Sequence, residues 1–229
     1  MVSEPSPWTP WGPPPDAAFI AQAGAWIGQA ETAFTDLVWR GYAQLRTMEA
    51  RFDTRDLERS ITEQITAAID DEVPGEAPYY VQHSPFERET MLAPPAQPPA
   101  YDLAFVMRAD PRIMWPVEAK ILITPKALAD YVADVVDQFL TCRYAPFSPS
   151  GAMLGYLLSG APEDTLANIA KRLGVRYTET TPLDTERPHR SAWHARTVPA
   201  DKAYPSPFRC HHLILGFHGL SRASAAASI

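Results

Sequence analysis

Two opposite charges stand two residues apart within an apolar segment, WPVEAKILI at residues 115–123. The segment predicts a β-strand, in which successive side chains point to opposite faces of the sheet. Glu118 and Lys120 therefore share one face, while Val117 and Ala119 share the other. Charged groups in apolar surroundings are unfavourable unless they are paired or bind a ligand. This strand is therefore a candidate for a site that performs chemistry.

A second carboxylate, Asp102, stands near the start of the preceding predicted strand, YDLAFVM at 101–107. The turn around Asp110 and Pro111 joins the two strands as an antiparallel hairpin. Asp102 and Glu118 both lie far from this turn, so hairpin pairing brings them toward each other. Two carboxylates and one lysine are thus expected at one edge of the sheet.

This set of groups suits metal-assisted hydrolysis of a phosphodiester. Carboxylate oxygens bind Mg²⁺, which leaves coordination positions for water and phosphate. The metal would lower the pKa of a bound water, and Lys120 would orient that water or stabilise the developing charge. The alternative is a structural salt bridge between Lys120 and Asp102 or Glu118 on a solvated sheet face, which the apolar flanks of the strand disfavour.

The pattern resembles the PD-(D/E)XK, or restriction-endonuclease-like, nuclease superfamily. Asp102 and the Glu-Ala-Lys triplet at 118–120 are separated by fifteen residues and are followed by a predicted helix and an apolar strand. The proline that the family often has before the aspartate is replaced here, since Ala100 and Tyr101 precede Asp102.

The resemblance covers about residues 55–217 and implies a mixed central sheet flanked by helices, in the core order αβββαβ. It implies a Mg²⁺ cofactor, with Mn²⁺ as a substitute. Asp102, Glu118 and the main-chain carbonyl of Ala119 would hold the metal, and Lys120 would position the attacking water.

Members of the family often add an acidic residue from the helix before the hairpin. Glu58 is the candidate here, because it precedes Ile61 and Ile65 by three and seven residues and so lies near the buried stripe of its helix. Two alternatives stay open. Glu63 on the same helix could take this role, or Glu58 could be a solvated charge without a role in the site.

The remaining patterns predict one α/β domain with a mixed sheet. The expected helices are 16–51 (one long or two stacked), 53–73, 125–145 and 161–174, and the expected strands are 79–83, 101–107, 113–123, 151–160, 190–198 and 209–217. A Pro-rich arm and helical extension are expected over 1–52, the nuclease-like core over 53–220 and a flexible tail over 221–229.

Composition limits the partners that the protein can have. With 20 basic and 27 acidic residues, its net charge of −7 argues against binding nucleic acid by charge alone. We therefore expect a homodimer or a partner protein to supply part of a DNA-binding surface. The predicted phosphate contacts within this chain are Arg108, Arg112, Lys126 and Arg143.

Two cysteines, Cys142 and Cys210, are too few for a disulfide framework, and the N-terminus has no secretory signal pattern. With no apolar run long enough to span a bilayer, a cytoplasmic location without membrane contact is predicted. The exonuclease branch of the superfamily has a Gln and a Tyr four residues apart. That pattern fails here, because the residue four positions after Gln138 is Cys142 and not a tyrosine.

The function expected from these patterns is a Mg²⁺-dependent endonuclease acting on DNA, in bacterial anti-phage defence or restriction. Two alternatives stay open: a non-catalytic interaction module on the same fold, and a nuclease that acts on RNA.

Overall fold

The structure, a computed structural model, describes residues 15–48, 50–87, 89, 99–218 and 220. The predicted flexible tail over 221–229 and almost all of the Pro-rich arm lie outside the described residues. The helices are α1 (Ala17–Thr47), α2 (Leu57–Glu72), α3 (Pro125–Asp134) and α4 (Pro162–Leu173), and the strands are β1 (Tyr79–His83), β2 (Leu103–Met107), β3 (Met114–Leu122), β4 (Ser150–Leu157), β5 (His189–His194) and β6 (Phe208–Gly216).

The described strands form one six-stranded mixed sheet in the order β1-β2-β3-β4-β6-β5. The first three strands pair antiparallel, β4 lies parallel to β3 and β6, and β5 pairs antiparallel with β6. The prediction of an α/β fold with a mixed sheet flanked by helices is confirmed. The order of elements along the chain is the predicted one.

Local signals set several helix ends. The Asp16 side chain accepts a hydrogen bond from the Phe19 N–H at the start of α1, and Thr124 does the same for the Ala127 N–H at the start of α3. Gly174 ends α4 in the left-handed conformation, with φ +67°, that glycine adopts without strain.

The strand β3 carries a different environment on each face. Val117 and Ala119 are fully buried against the side on which α1 and α2 pack. Met114 and Leu122 pack on the other side, in the core that α3 and α4 cover. Alternation therefore places Glu118 and Lys120 on one shared face, as predicted, and that face is the one on which α3 packs.

The strands β2 and β3 differ in length, and this leaves part of β3 unpaired. Their ladder ends where Leu103 lies opposite Val117. Residues 118–122 of β3 continue beyond that point and pair with β4. Within the part of the chain that the structure describes, no strand lies along the other edge of this half of β3.

The N-terminal helix α1 is one continuous helix of 31 residues that belongs to the main core. Phe34 is fully buried and stacks on Phe105 of β2, with ring centroids 4.5 Å apart. It also lies 5.5 Å from the ring of Trp115 in β3. The predicted extension thus shares a core with the strands that carry the predicted site, and the domain division at residue 52 stays a prediction.

The prediction of one helix over 125–145 is wrong beyond residue 139. Regular α-helix ends at Asp134, and a π-helical turn follows at Val135–Phe139. Tyr131, Val135 and Phe139 are fully buried at four-residue spacing, and four residues of an α-helix overshoot one full turn by about 40°. The wider turn corrects this drift and keeps Phe139 in the core.

A buried arginine fixes the irregular segment that follows. The Arg196 guanidinium donates hydrogen bonds to the carbonyl oxygens of Phe139 (2.8 Å), Tyr144 (2.7 Å) and Ser148 (3.0 Å). It therefore satisfies carbonyl groups that a helix would have bonded internally. The strand predicted over 190–198 ends at His194, and Arg196 lies buried beyond its end.

No helix in the described ranges combines the length and the apolar character that crossing a lipid bilayer requires.

We expect Phe34→Ala to lower the free energy of unfolding by about 3–5 kcal/mol, because it opens a cavity between α1 and the sheet. Gln29→Ala, at an exposed position of the same helix, is the matched control and should change it by less than about 0.5 kcal/mol. Urea unfolding monitored by circular dichroism measures both. Equal stabilities of the two variants would show that α1 is not part of the cooperative core.

Candidate active site

Two carboxylates satisfy the unpaired edge of β3. The Ala119 N–H donates a 2.7 Å hydrogen bond to Asp102 Oδ2, and the Ile121 N–H donates a 2.8 Å hydrogen bond to Glu58 Oε2. Backbone N–H groups away from water need such acceptors, and no strand supplies them here. The edge of β3 thus brings Asp102 and Glu58, which are far apart in sequence, to the same place.

Lys120 lies at the centre of three carboxylates from three elements. Its Nζ is 3.1 Å from Asp134 Oδ2 at the end of α3, 3.5 Å from Glu118 Oε1 on β3 and 3.6 Å from Glu58 Oε1 at the start of α2. The Lys120 side chain is 23 % exposed and that of Glu118 is 10 % exposed. The site is therefore a partly dry cleft that remains open to solvent on one side.

Burial and mutual repulsion act on the two central carboxylates. Burial raises the pKa of Glu118 well above its usual range, and the charge of Asp102 raises it further. Burial also raises the pKa of Asp102, although the hydrogen bond from the Ala119 N–H offsets part of that rise. Burial lowers the pKa of Lys120, but the charges of its carboxylate neighbours outweigh burial and hold that pKa above the usual value.

The site has more negative than positive charge and an unused oxygen. Glu118 Oε2 is buried and has no hydrogen-bond partner, and Asp134 Oδ2 meets the Lys120 ammonium without a directed hydrogen bond. Glu58, Glu118 and Asp134 lie within 3.6 Å of one ammonium, and Asp102 interacts with it electrostatically. Carboxylate oxygens with surplus negative charge are what a hard divalent cation binds. The residues present therefore fit the predicted Mg²⁺ or Mn²⁺.

The carboxylate side chains of the site are not arranged around a common metal position. Within the described ranges, no group of three or more His, Cys, Asp or Glu side chains is placed so that it would hold a metal ion. Lys120 contacts Glu118 Oε1, so a cation bound to the other oxygen of this carboxylate would lie close to the ammonium and repel it. The Ala119 carbonyl faces the same edge of β3 as the Ala119 N–H, because both groups of a strand residue point to one side. It therefore lies on the Asp102 side, as its predicted ligand role requires.

Two tyrosines fasten residues 144–145 to the chain that leads into the site. The Tyr144 hydroxyl donates to the Ala100 carbonyl (2.7 Å), and the Ala145 N–H donates to the Tyr101 hydroxyl (3.0 Å). Burial raises the pKa of Tyr144, and the site carboxylates raise it further. This pair of contacts fixes the backbone immediately before Asp102.

The sequence analysis missed Asp134. It lies one residue before the buried Val135 and three after the buried Tyr131, so it borders the buried stripe of α3. A polar residue at the border of a buried stripe is a usable signal for a site residue. Gln138, further along the same predicted helix, has the same position relative to the buried Val135 and Phe139. Gln138 Oε1 is buried without a hydrogen-bond partner, and no contact of this side chain with the site residues is observed.

The two arginines predicted to contact phosphate from the hairpin lie at its turn. Arg112 forms an ion pair with Asp110 (2.7 Å) and lies over the Phe19 ring, and Arg108 donates to the Ala77 carbonyl (3.0 Å). Arg112 lies two residues before β3 begins at Met114, and four strand residues, about 13 Å, lead from there to Glu118. The structure does not bring these arginines to the acidic cluster, and their contact with nucleic acid stays a prediction.

The other two predicted phosphate contacts lie on or after α3. Lys126 is exposed and pairs with Asp130 at 2.6 Å, one helical turn further on. Arg143 lies in the irregular segment after the π-helical turn. Their role in binding nucleic acid also stays a prediction.

No protein-family model matches the chain, and neither a curated protein nor a solved structure matches it at a significant level. The case for a function therefore rests on the site itself.

We expect Glu118→Gln to stabilise the metal-free protein at pH 7, by on the order of 1–3 kcal/mol, because it removes a buried charge that Asp102 repels and whose Oε2 has no hydrogen-bond partner. Since the pKa of Glu118 is raised in the folded chain, the folded state binds more protons than the unfolded state, and stability falls as the pH rises. The difference between variant and wild type should therefore shrink as the pH is lowered toward 4.5, the usual pKa of a glutamate. Thermal unfolding in a chelator, at several pH values, measures it.

The matched control is Glu76→Gln, which neutralises an exposed glutamate in the loop after α2. It should leave the stability within about 0.5 kcal/mol of wild type. A Glu118→Gln variant less stable than wild type at neutral pH would show that the contact of Glu118 with Lys120 outweighs the cost of burying its charge.

Proposed function

We propose that the protein is a Mg²⁺-dependent endonuclease that hydrolyses DNA phosphodiester bonds. One observation carries the proposal: Asp102, Glu118 and Lys120 converge at the unpaired edge of β3, where Glu118 retains a buried oxygen without a partner. Glu58 of α2 joins them at this edge, where it accepts the hydrogen bond from the Ile121 N–H.

The arrangement of elements supports a restriction-endonuclease-like core within the larger sheet. The succession α2, β1, β2, β3, α3, β4 has the order αβββαβ that the resemblance implies. An antiparallel β1-β2-β3 unit lies next to a parallel β4, with the site on β2 and β3. In this proposal β5, β6 and α1 are additions that complete the sheet and its core.

The residues divide into ligands and groups that act on water. Asp102, Glu118 and the Ala119 carbonyl would hold the cation, which when bound supplies a water of lowered pKa and positive charge beside the phosphate. Asp102 retains its hydrogen bond to the Ala119 N–H through Oδ2 and offers Oδ1. Lys120 would orient the attacking water or stabilise negative charge as it develops on the phosphate.

Glu58 has a supporting place in this scheme. Its Oε2 is engaged by the Ile121 N–H, and its Oε1 lies toward Lys120. It therefore fixes the end of β3 and contributes to the environment of the ammonium. A second copy of the chain or a partner protein would add to the DNA-binding surface, because the net charge of −7 opposes binding to phosphate.

A second candidate is a non-catalytic module that uses the same fold to bind a partner. The observation in its favour is that Lys120 already pairs with Glu58, Glu118 and Asp134. In that case the charged set is a structural ion-pair network.

We expect purified protein to cleave plasmid DNA in the presence of Mg²⁺, and Lys120→Met or Glu118→Gln to lower the rate by at least about 100-fold. Lys171→Met is the matched control, because it removes an exposed lysine in the last turn of α4 that has no place in the proposed site. A single-stranded RNA of the same sequence tests the RNA alternative. Equal rates for wild type and both site variants would refute the assignment of the site.

Divalent-cation binding separates the two candidates without an activity assay. A nuclease should gain about 2.7 kcal/mol of stability when Mg²⁺ is present at 100 times its Kd, seen as a rise in Tm. Glu118→Gln should abolish that rise. A wild-type Tm that responds to neither Mg²⁺ nor Mn²⁺ would favour the non-catalytic module.

A further inference from the structure

We propose that Asp134 is a positioning residue, which retains the Lys120 ammonium when a divalent cation takes Glu118. The inference rests on the proposed nuclease function and assigns a role to a residue that the sequence pattern does not contain. It starts from the three distances around Lys120 Nζ, of which that to Asp134 Oδ2 is the shortest, at 3.1 Å.

The three carboxylates around Lys120 differ in what else they do. Glu118 is the buried group whose second oxygen is unused, and the proposed cation binds it. Glu58 has one oxygen on the Ile121 N–H and lies furthest from the ammonium, at 3.6 Å. Asp134 has no hydrogen bond to the edge of β3, and its Oδ2 faces only the ammonium. It is therefore the carboxylate that is free to serve Lys120 alone.

A cation at Glu118 changes the balance of forces on Lys120. Two positive charges repel each other at short range in a partly dry site, so the ammonium moves away from Glu118. Without another anion, it would leave the cleft for solvent and lose its place beside the water. Asp134 comes from a different element, α3, which faces the strand that carries the metal ligands. It therefore holds the ammonium within the site.

The helix that carries Asp134 is rigidly placed. Tyr131 and Val135, on either side of Asp134, are fully buried, and the Tyr131 hydroxyl lies 2.9 Å from His212 Nδ1 on β6. The π-helical turn begins directly after Asp134 and is fixed through the Phe139 carbonyl by Arg196. A short side chain on such a support can position an ammonium closely.

The first test compares Asp134→Asn with Asp137→Asn, which makes the same change at an exposed position of the π-helical turn. We expect Asp134→Asn to lower kcat for plasmid cleavage by about 10- to 100-fold, with KM and the half-saturating Mg²⁺ concentration near wild type. Asp134→Glu, which keeps the charge, should recover part of kcat. Asp137→Asn should behave as wild type.

A second test needs no cleavage. A double-mutant cycle of Lys120→Met and Asp134→Asn, with Tm as the readout, measures the interaction between these two side chains. The cycle is carried out with and without saturating Mg²⁺. We expect the Lys120–Asp134 coupling to persist in saturating Mg²⁺.

The outcomes separate the two proposals. If wild type neither cleaves DNA nor gains Tm with Mg²⁺, the proposed function is overturned and the positioning role falls with it. If wild type is active and Asp134→Asn matches Asp137→Asn, only the positioning role is overturned. It is also overturned if Asp134→Asn raises the half-saturating Mg²⁺ concentration as Glu118→Gln does, since Asp134 would then be a ligand, or if the Lys120–Asp134 coupling is lost in Mg²⁺.

Discussion

The difference in length between β2 and β3 is the constraint on which the site depends. Beyond Val117, the N–H groups of Ala119 and Ile121 have no strand to bond, and buried amides cannot remain unpaired without a large loss of stability. Asp102 and Glu58 bond them instead. The same hydrogen bonds that complete the sheet therefore deliver two carboxylates to Lys120, and each carboxylate keeps a second oxygen for other contacts. Folding and the assembly of the site are thus one event.

The gathered charges oppose the stability of the fold. Carboxylates held close together in a partly dry cleft repel one another. Burial raises the pKa values of Asp102 and Glu118, and the neighbouring carboxylates raise them further. The surrounding structure supports this arrangement with rigid packing on both faces of the sheet. One face carries the aromatic contacts of α1, and the other carries α3 and the buried stripe that begins at Tyr131. A site whose ground state is unfavourable has more to gain from a ligand of opposite charge.

The sequence predicts the features that depend on local periodicity and short separations. Alternation along β3 places Glu118 and Lys120 on one face, and the hairpin turn brings Asp102 to them. The element order also follows from local patterns, whereas the position of β6 between β4 and β5 does not, since strand order depends on tertiary pairing. Asp134 was missed for a related reason: its place is set by how α3 lies on the sheet. The contact of Arg196 with the Phe139 carbonyl at the end of the π-helical turn spans 57 residues, so no local window contains it.

The segment from Phe139 to Ser148 is held at several points, and this limits how the cleft can move. Arg196 binds its carbonyls, while Tyr144 and Ala145 bind the two residues before Asp102. These hydrogen bonds therefore connect the side of the cleft formed by α3 to the side formed by the start of β2. On the opposite side, α2 meets the edge of β3 through the hydrogen bond from the Ile121 N–H to Glu58 and through the ion pair of Glu58 with Lys120. A displacement of α2 would therefore disturb both the backbone of β3 and the surroundings of the ammonium.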